Sequence, residues 1–311
     1  MAPRVGLRLI PVVALVALVA AGAVAGYAEW RLRRGAAAAE GTGEIDAAAR
    51  AQGLADAQRL EQLALVAARL ADHPELAPAL AGQAGSTEDG ELPAPVPLLE
   101  DLLDRHQVEL VVARSAGEGP PLRAGGPEAA ARALAASELA AQAAAEGRAR
   151  GAWAFGGRLY FAAAERVARE FEAQGVAAVA DQVSQATALQ ARALGRADAV
   201  YVVAAEGGGA TPSAATLAST LGRAEDGELL EALGRARGGP LVAALEEGER
   251  SEPVEVVLGG RPYRAVVVPL EDAAGRPVAA RVTLARQSGE IGLLRTVQAV
   301  ALAGGSAALL L

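Results

Sequence analysis

The sequence predicts an α+β protein in which two modules of similar element order follow a long helix, with an apolar segment at either end of the chain. Three observations support this prediction. Residues 9–27 contain no charge, and residues 296–311 are again uncharged and mostly apolar. Between them, a short motif that begins Gly-Gly-Arg occurs once in each half of the chain.

Residues 9–27 are long enough to cross a bilayer. A helix rises about 1.5 Å per residue, so about 20 apolar residues span a hydrocarbon core of roughly 30 Å. Tyr27 and Trp30 at the far end are typical of a membrane interface. The alternative is a cleaved signal peptide, because residues 23–25 (Ala-Val-Ala) fit a cleavage site. Length favours an uncleaved transmembrane anchor, which we place in residues 1–34.

The end of the chain predicts a second transmembrane helix. Residues 296–311 carry no charge and finish on three leucines, as a membrane span cut off before its end would do. Their Gly-Gly pair is also more typical of a membrane helix than of a soluble one. The alternative is a buried C-terminal helix. We assign residues 291–311 to this second, truncated span.

Several classes of chemistry are excluded by composition. The chain has neither lysine nor cysteine, so it lacks a P-loop lysine, a Schiff base, a thiol nucleophile and a thiolate metal site. Its two histidines, His73 and His106, form no metal-ligand motif. No Gly-x-Ser-x-Gly motif occurs. We therefore predict no enzymatic activity, no cofactor and no metal site.

Nucleic acid is also a poor partner for this chain. The formal net charge is −8, and the arginines are interleaved with Asp and Glu throughout. Phosphate contacts need a clustered basic face, which this pattern does not provide. The charged residues are those of a solvated surface.

A long helix is predicted directly after the anchor, over residues 44–72, within a stalk of residues 35–80. Alternating spacings of three and four residues, which form an apolar seam along a helix, separate Leu60, Leu63, Ala67 and Leu70. The seam can pack on the chain's own modules or on a second subunit. We therefore expect a homodimer as one of two arrangements.

The remaining elements follow from turn residues and apolar runs. The first half predicts a loop, a helix, a strand, a helix, a hairpin, a strand and a helix, in residues 82–97, 98–105, 108–114, 128–148, 151–164, 175–181 and 183–195. The second half predicts a strand, a helix, a strand and a long hairpin, in residues 199–205, 225–237, 254–258 and 261–284. Each half thus contains a strand, then a helix, then three further strands, two of which form the predicted hairpin.

The two halves also share letters. The pattern G-G-R-x-Y-x-A occupies residues 156–162 and again residues 259–265. The run Val-Val-Ala occupies residues 111–113 and 202–204. Because these similar stretches fall at corresponding places in the element order, we favour an internal duplication over chance similarity.

This arrangement resembles the double Cache sensor region of bacterial transmembrane receptors. The last hairpin, residues 259–284, carries the resemblance most clearly, through its Tyr-x-Ala, Pro-Leu-x-Asp and Gly-x-x-Val-Ala cadence. The resemblance covers residues 44–290. It implies two tandem PAS-like antiparallel-sheet modules, membrane-distal in residues 81–195 and membrane-proximal in residues 196–290. It also implies that residues 28–290, approximately, lie on the extracytoplasmic side of the cytoplasmic membrane.

The resemblance implies a function as well. A ligand-sensing region of this kind couples the binding of a small molecule to a cytoplasmic output domain, and no output domain lies within this sequence. The expected partners are an unknown small molecule, the lipid bilayer and a second subunit. Two alternatives remain: a solute-binding protein released by signal cleavage, and a structural membrane protein that dimerises without a ligand.

Five residues are candidates for a ligand pocket. Trp153 and Phe155 share one face of a predicted strand, and Tyr160 lies on the next strand. Arg148 and Arg150 precede them and could bind an anion at the pocket entrance. The alternative is that the aromatic rings only fill the core.

One departure from the family limits what the resemblance implies about the ligand. The amino-acid-binding subset of double Cache regions has an arginine two residues before a tryptophan, and an aromatic residue after it. Here Arg150 lies three residues before Trp153, and Ala154 follows. The resemblance is therefore not extended to amino-acid specificity.

Overall fold

A computed structural model of the chain describes residues 42–82, 96–117, 119–169, 172–204, 214–234 and 239–287. The two predicted membrane spans and most of the predicted loop 82–97 lie outside these ranges. Among the helices that are described, none is both long enough and apolar enough to cross a bilayer.

The first helix, α1, covers residues 42–71 and confirms the long helix predicted over residues 44–72. Its second half contributes Leu63 and Leu70 to a core that includes Phe161 of the first sheet. Its first half packs Ile45 against Val266 of the second sheet. The predicted apolar seam therefore packs on the chain's own modules, and α1 runs along both of them.

The first module is a five-stranded antiparallel sheet with helices on both faces. Its strands are β1 (Leu110–Ser115), β2 (Leu122–Gly125), β3 (Arg148–Phe155), β4 (Arg158–Arg169) and β5 (Glu172–Gln182). Its helices are α2 (Leu76–Gly82), α3 (Val96–His106), α4 (Glu128–Ala135) and α5 (Glu138–Glu146). The order of the strands is β2-β1-β5-β4-β3. Helices α1, α2 and α3 cover one face of the sheet, and α4 and α5 cover the other.

The second module has the same construction. Its elements are α6 (Gln185–Gly195), β6 (Asp198–Ala204), β7 (Ala214–Ser219), α7 (Arg223–Gly234), α8 (Pro240–Glu246), β8 (Val254–Leu258), β9 (Arg261–Glu271) and β10 (Pro277–Arg286). The order of the strands is β7-β6-β10-β9-β8. Counted from the first strand of each module, the two orders are identical. The prediction of two tandem PAS-like antiparallel-sheet modules is therefore confirmed.

The repeated Gly-Gly motif forms the same turn in both modules. Gly156 and Gly157 join β3 to β4 with φ of 57° and 71°, and Gly259 and Gly260 join β8 to β9 with φ of 54° and 72°. Two consecutive residues with positive φ make the tight turn whose twist matches an antiparallel hairpin. Glycine adopts this conformation without steric cost. Antiparallel pairing of β3 with β4, and of β8 with β9, confirms the predicted hairpins.

The single helix predicted over residues 128–148 is wrong. The chain forms two helices, and Ser137 separates them: its Oγ donates to the Leu134 carbonyl and accepts from the Ala140 N–H. A serine in this N-cap position satisfies a backbone group at the start of a new helix. The short elements β2, β7 and α8 were also not predicted from the sequence.

Buried polar side chains fasten the first half of α1 to the second sheet. The Arg281 guanidinium on β10 donates to the Asp56 carboxylate and, at 3.0 Å, to the Ala49 carbonyl. The Tyr201 hydroxyl on β6 donates to the same carboxylate at 2.8 Å. Removing one member of such a buried group leaves a charge without its partner, which is strongly destabilising.

The next turn of α1 is fastened to the first sheet. Arg59 donates through Nε and Nη2 to one carboxylate oxygen of Asp181 on β5, at 2.9 and 2.8 Å. Asp56 and Arg59 lie three residues apart, so one turn of α1 holds both modules.

Candidate functional site

Three of the five candidate residues come together on the face of the first sheet that carries α4 and α5. Trp153 stacks on Phe155 with ring centroids 5.5 Å apart, and its centroid lies 5.0 Å from that of Tyr160. Strand alternation places the first two on one face, and the β3–β4 register sets Tyr160 directly opposite Trp153. Burial, aided by the charge of Glu109, raises the pKa of the Tyr160 hydroxyl.

The two candidate arginines lie on the other face of the same strand. Arg148 is opposite Glu165 on β4, and Arg150 forms an ion pair with Glu61 of α1. The predicted grouping of these arginines with the aromatic rings is therefore not found, because side chains an odd number of residues apart point to opposite faces of a strand. A ligand-binding role for any of the five residues stays a prediction.

A cavity of about 310 Å³ lies beside Trp153, where the two modules meet. The α4–α5 junction, the edge strand β3 and the β9–β10 turn all contribute to it. Its lining residues are Ala133, Ser137, Glu138, Leu139, Ala152, Trp153, Ala154, Asp272, Ala273, Arg276 and Val278. We call it the junction cavity. Its walls combine apolar and polar surface, and its volume is at the lower end of the range for small-molecule sites.

Gly151 allows the second module to close this cavity. A Cβ atom at this position would lie 2.7 Å from both the Asp272 carbonyl carbon and the Ala273 nitrogen. Atoms of the β9–β10 turn thus occupy the space that any other side chain would fill. The glycine inside β3 marks a close approach between backbones.

The β9–β10 turn is organised by Asp272 and Arg276. The Asp272 carboxylate accepts from the backbone N–H groups of Ala274 and Arg276, both at 2.9 Å, and from the Arg276 guanidinium. Partial burial raises the pKa of Asp272, but the hydrogen bonds and the charge of Arg276, together with the hydrogen bond from the Ala274 N–H, lower it by more, so the pKa of Asp272 is lowered. The guanidinium also pairs with Glu138 of α5, so one arginine links the two modules.

The edge of β3 supplies backbone groups to the cavity. The two-residue turn makes Phe155 and Arg158 a hydrogen-bonded pair, and the pairs alternate along the ladder from there. The N–H and C=O groups of Ala152 and Ala154 consequently point away from β4, along the outer edge of the sheet. Both alanines line the junction cavity.

Sequence reasoning missed the residues from the second module. Asp272 and Arg276 belong to a turn, and nothing local indicates that this turn packs on a strand of the other module. Gly151, a glycine within a strand pattern, was the available signal of a close contact. In the part of the chain that the structure describes, no three acidic or histidine side chains are placed to hold a metal ion.

Comparisons with known proteins identify no family by sequence. No family model matches the chain, and no curated protein matches it.

Several solved structures are similar to this chain, each at low sequence identity. The sensory domain of the Campylobacter jejuni chemoreceptor Tlp3, with isoleucine bound, is 10% identical, with 79% of this chain and 91% of that chain covered and a TM-score of 0.44. The ligand-binding domain of the Pseudomonas aeruginosa amino-acid chemoreceptor PctC, in complex with GABA, is 18% identical, with coverages of 76% and 96% and a TM-score of 0.38. The periplasmic domain of Vibrio cholerae LuxQ is 12% identical, with coverages of 78% and 100% and a TM-score of 0.40.

Proposed function

We propose that this chain is the extracytoplasmic ligand-sensing region of a bacterial transmembrane receptor. Residues 1–34 and 291–311 anchor it in the cytoplasmic membrane, and residues 28–290, approximately, lie outside. The observation that supports this proposal is the junction cavity, because both tandem modules contribute its walls. The predicted module bounds are residues 81–195 and 196–290. The packing of the helices differs from them at two places, because α2 (Leu76–Gly82) packs on the first sheet and α6 (Gln185–Gly195) packs on the second.

The ligand binds in the junction cavity. Trp153 lines the cavity and belongs to the cluster with Phe155 and Tyr160, so these three are the candidate residues that we retain for ligand binding. Arg148 and Arg150 lie on the opposite face of the sheet, where Arg150 pairs with Glu61 of α1.

Strand β10 provides a route from the cavity to the membrane-linked helix. Val278 near its start lines the cavity, and Arg281 three residues later holds Asp56 of α1. A ligand that favours one position of the β9–β10 turn therefore also favours one position of β10 relative to α1. The ligand shifts the receptor only by its difference in affinity for the two arrangements.

The receptor region forms a homodimer through the outer face of α1. Leu54 and Leu65 are 62% and 60% exposed on this helix, and they lie on the side turned away from both sheets. Apolar side chains at this spacing on one helix suit packing against a second copy.

Membrane fractionation tests the proposal. The full chain is expressed in a bacterium, membranes are washed with carbonate, and the N-terminus of the product is sequenced. The proposal predicts a carbonate-resistant membrane protein that retains residues 1–34. A soluble product that begins at Gly26 would instead identify a released solute-binding protein.

A further inference from the structure

We infer that the junction cavity binds an organic cation, a primary alkylamine with a short apolar body. This inference rests on the proposed function and adds the chemical class of the ligand. Three features of the cavity carry it: its charge balance, its apolar walls and its hydrogen-bond acceptors.

The charged side chains that line the cavity leave an excess of negative charge. They comprise two carboxylates, of Glu138 and Asp272, and one guanidinium, of Arg276. Arg276 forms ion pairs with both carboxylates at once. An anionic ligand at Arg276 would lie beside two carboxylates that already pair with this guanidinium and would repel it. A cation meets a site that already attracts it.

The remaining walls suit a small hydrocarbon body. Ala133, Leu139, Ala152, Ala273 and Val278 contribute apolar surface to the cavity. Trp153 adds an indole, the ring that attracts cations most strongly among the aromatic side chains.

The cavity also offers acceptors for an ammonium group, which has three N–H donors and no acceptor. The carbonyls of Ala152 and Ala154 lie on the outer edge of β3, as the hairpin register requires. Glu138, whose side chain is 52% exposed, supplies a carboxylate from the α5 wall of the cavity. An ammonium placed between these walls donates to both.

Three compounds of the same skeletal shape test the inference: isopentylamine, isopentanol and isovalerate. An alkylamine is charged at neutral pH, as a lysine side chain is, because its pKa is about 10. The full chain carries two tryptophans, so a Trp30→Phe background leaves Trp153 as the sole fluorescent indole at the cavity. We expect saturable changes in Trp153 fluorescence with isopentylamine, an affinity for isopentanol about tenfold lower, and no response to isovalerate.

A matched pair of variants assigns the charge preference to its residue. Glu138→Gln should lower the affinity for isopentylamine about tenfold and leave the affinity for isopentanol unchanged. Glu128→Gln is the control, since Glu128 also begins a helix and pairs with an arginine, yet lies outside the cavity. It should leave both affinities unchanged.

The outcomes separate the ligand class from the sensing function. Tighter binding of isovalerate than of isopentylamine, or a Glu138→Gln variant that binds the amine as tightly as the unaltered protein, overturns the cation inference while the cavity remains a binding site. If none of the three compounds changes Trp153 fluorescence, the assignment of the ligand to this cavity is overturned as well. The membrane fractionation decides the receptor proposal independently of these results.

Discussion

Asp56 and Arg281 form a buried ion pair that joins the first helix of the chain to its last described strand. Their side chains are 8% and 2% exposed, and the residues lie 225 positions apart in the sequence. Tyr201 donates to the same carboxylate. This pair holds α1 against the second module. Arg281 lies on β10, the strand whose Val278 lines the junction cavity.

Breaking this pair should strongly destabilise the protein. Arg281→Met leaves the Asp56 carboxylate buried without its cation, and we expect the free energy of unfolding in urea to fall by about 3–5 kcal/mol. The double variant Asp56→Leu with Arg281→Met should recover part of that loss, because no unpaired charge remains. The exposed pair Glu128–Arg132 is the control, where Arg132→Met should cost at most about 0.5 kcal/mol. Equal effects of the two arginine substitutions would contradict the structural role of Arg281.

Gly151→Ala should disturb the contact between the modules. Its new Cβ would overlap the backbone of the β9–β10 turn, and overpacking of this kind lowers stability by about 1–3 kcal/mol. Gly227→Ala provides the matched control, because this exposed glycine lies within α7 and has no neighbour within 4 Å. In a helix interior alanine is favoured over glycine by about 0.5–1 kcal/mol, so the control should stabilise. Thermal unfolding should show a lower melting temperature for Gly151→Ala and a higher one for Gly227→Ala than for the unaltered protein.

The outer face of α1 should control self-association. A variant with both Leu54→Glu and Leu65→Glu places charge on the proposed dimer face, and we expect the sedimenting mass of the detergent-solubilised chain to fall from dimer to monomer. Leu189→Glu serves as the control, since Leu189 is 50% exposed on α6, away from this face. A dimer that survives both charges on α1 would place the subunit contact elsewhere.

Acid should open the β9–β10 turn. The folded-state pKa of Asp272 is lowered, so the stability from its ionised form is fully present above the ordinary pKa of about 3.9 and is lost as the pH falls through the lower, folded value. Asp272 faces the Arg276 guanidinium, which also contacts Glu138. Trp153 fluorescence, followed to low pH in the Trp30→Phe background, should report the opening. Asp272→Asn should remove this part of the acid response, whereas Asp101→Asn, in the exposed pair with Arg105, should retain it.

The sequence predicts elements well where a local signal specifies the backbone. The two Gly-Gly pairs specify hairpins because glycine adopts positive φ freely, and both hairpins form. The long helix follows from its composition and its apolar seam, and it forms too. The break in the predicted helix over residues 128–148 depends instead on one side chain, Ser137, which caps a new helix in an alanine-rich stretch that would otherwise continue.

The candidate site was only partly predictable. Period-2 alternation brings Trp153 and Phe155 to one face, and the same rule places Arg150, three residues before Trp153, on the opposite one. Glu138 and Arg276 meet although 138 positions separate them, and their contact depends on how the two modules pack. No local sequence pattern encodes such packing, so the charged lining residues of the cavity could be identified only from the folded structure.

One labelling measurement tests whether the two modules lie on the extracytoplasmic side of the membrane. The chain contains no cysteine, so Ala144→Cys on the exposed side of α5 introduces a single thiol in the first module. A membrane-impermeant maleimide is applied to bacterial cells with a permeabilised outer membrane, and the labelled chain is then recovered from carbonate-washed membranes. If the modules lie outside the cytoplasm, we expect full labelling before lysis, on a chain that stays in the washed membrane. Labelling that occurs only after lysis, or a labelled chain released by carbonate, would contradict this proposal.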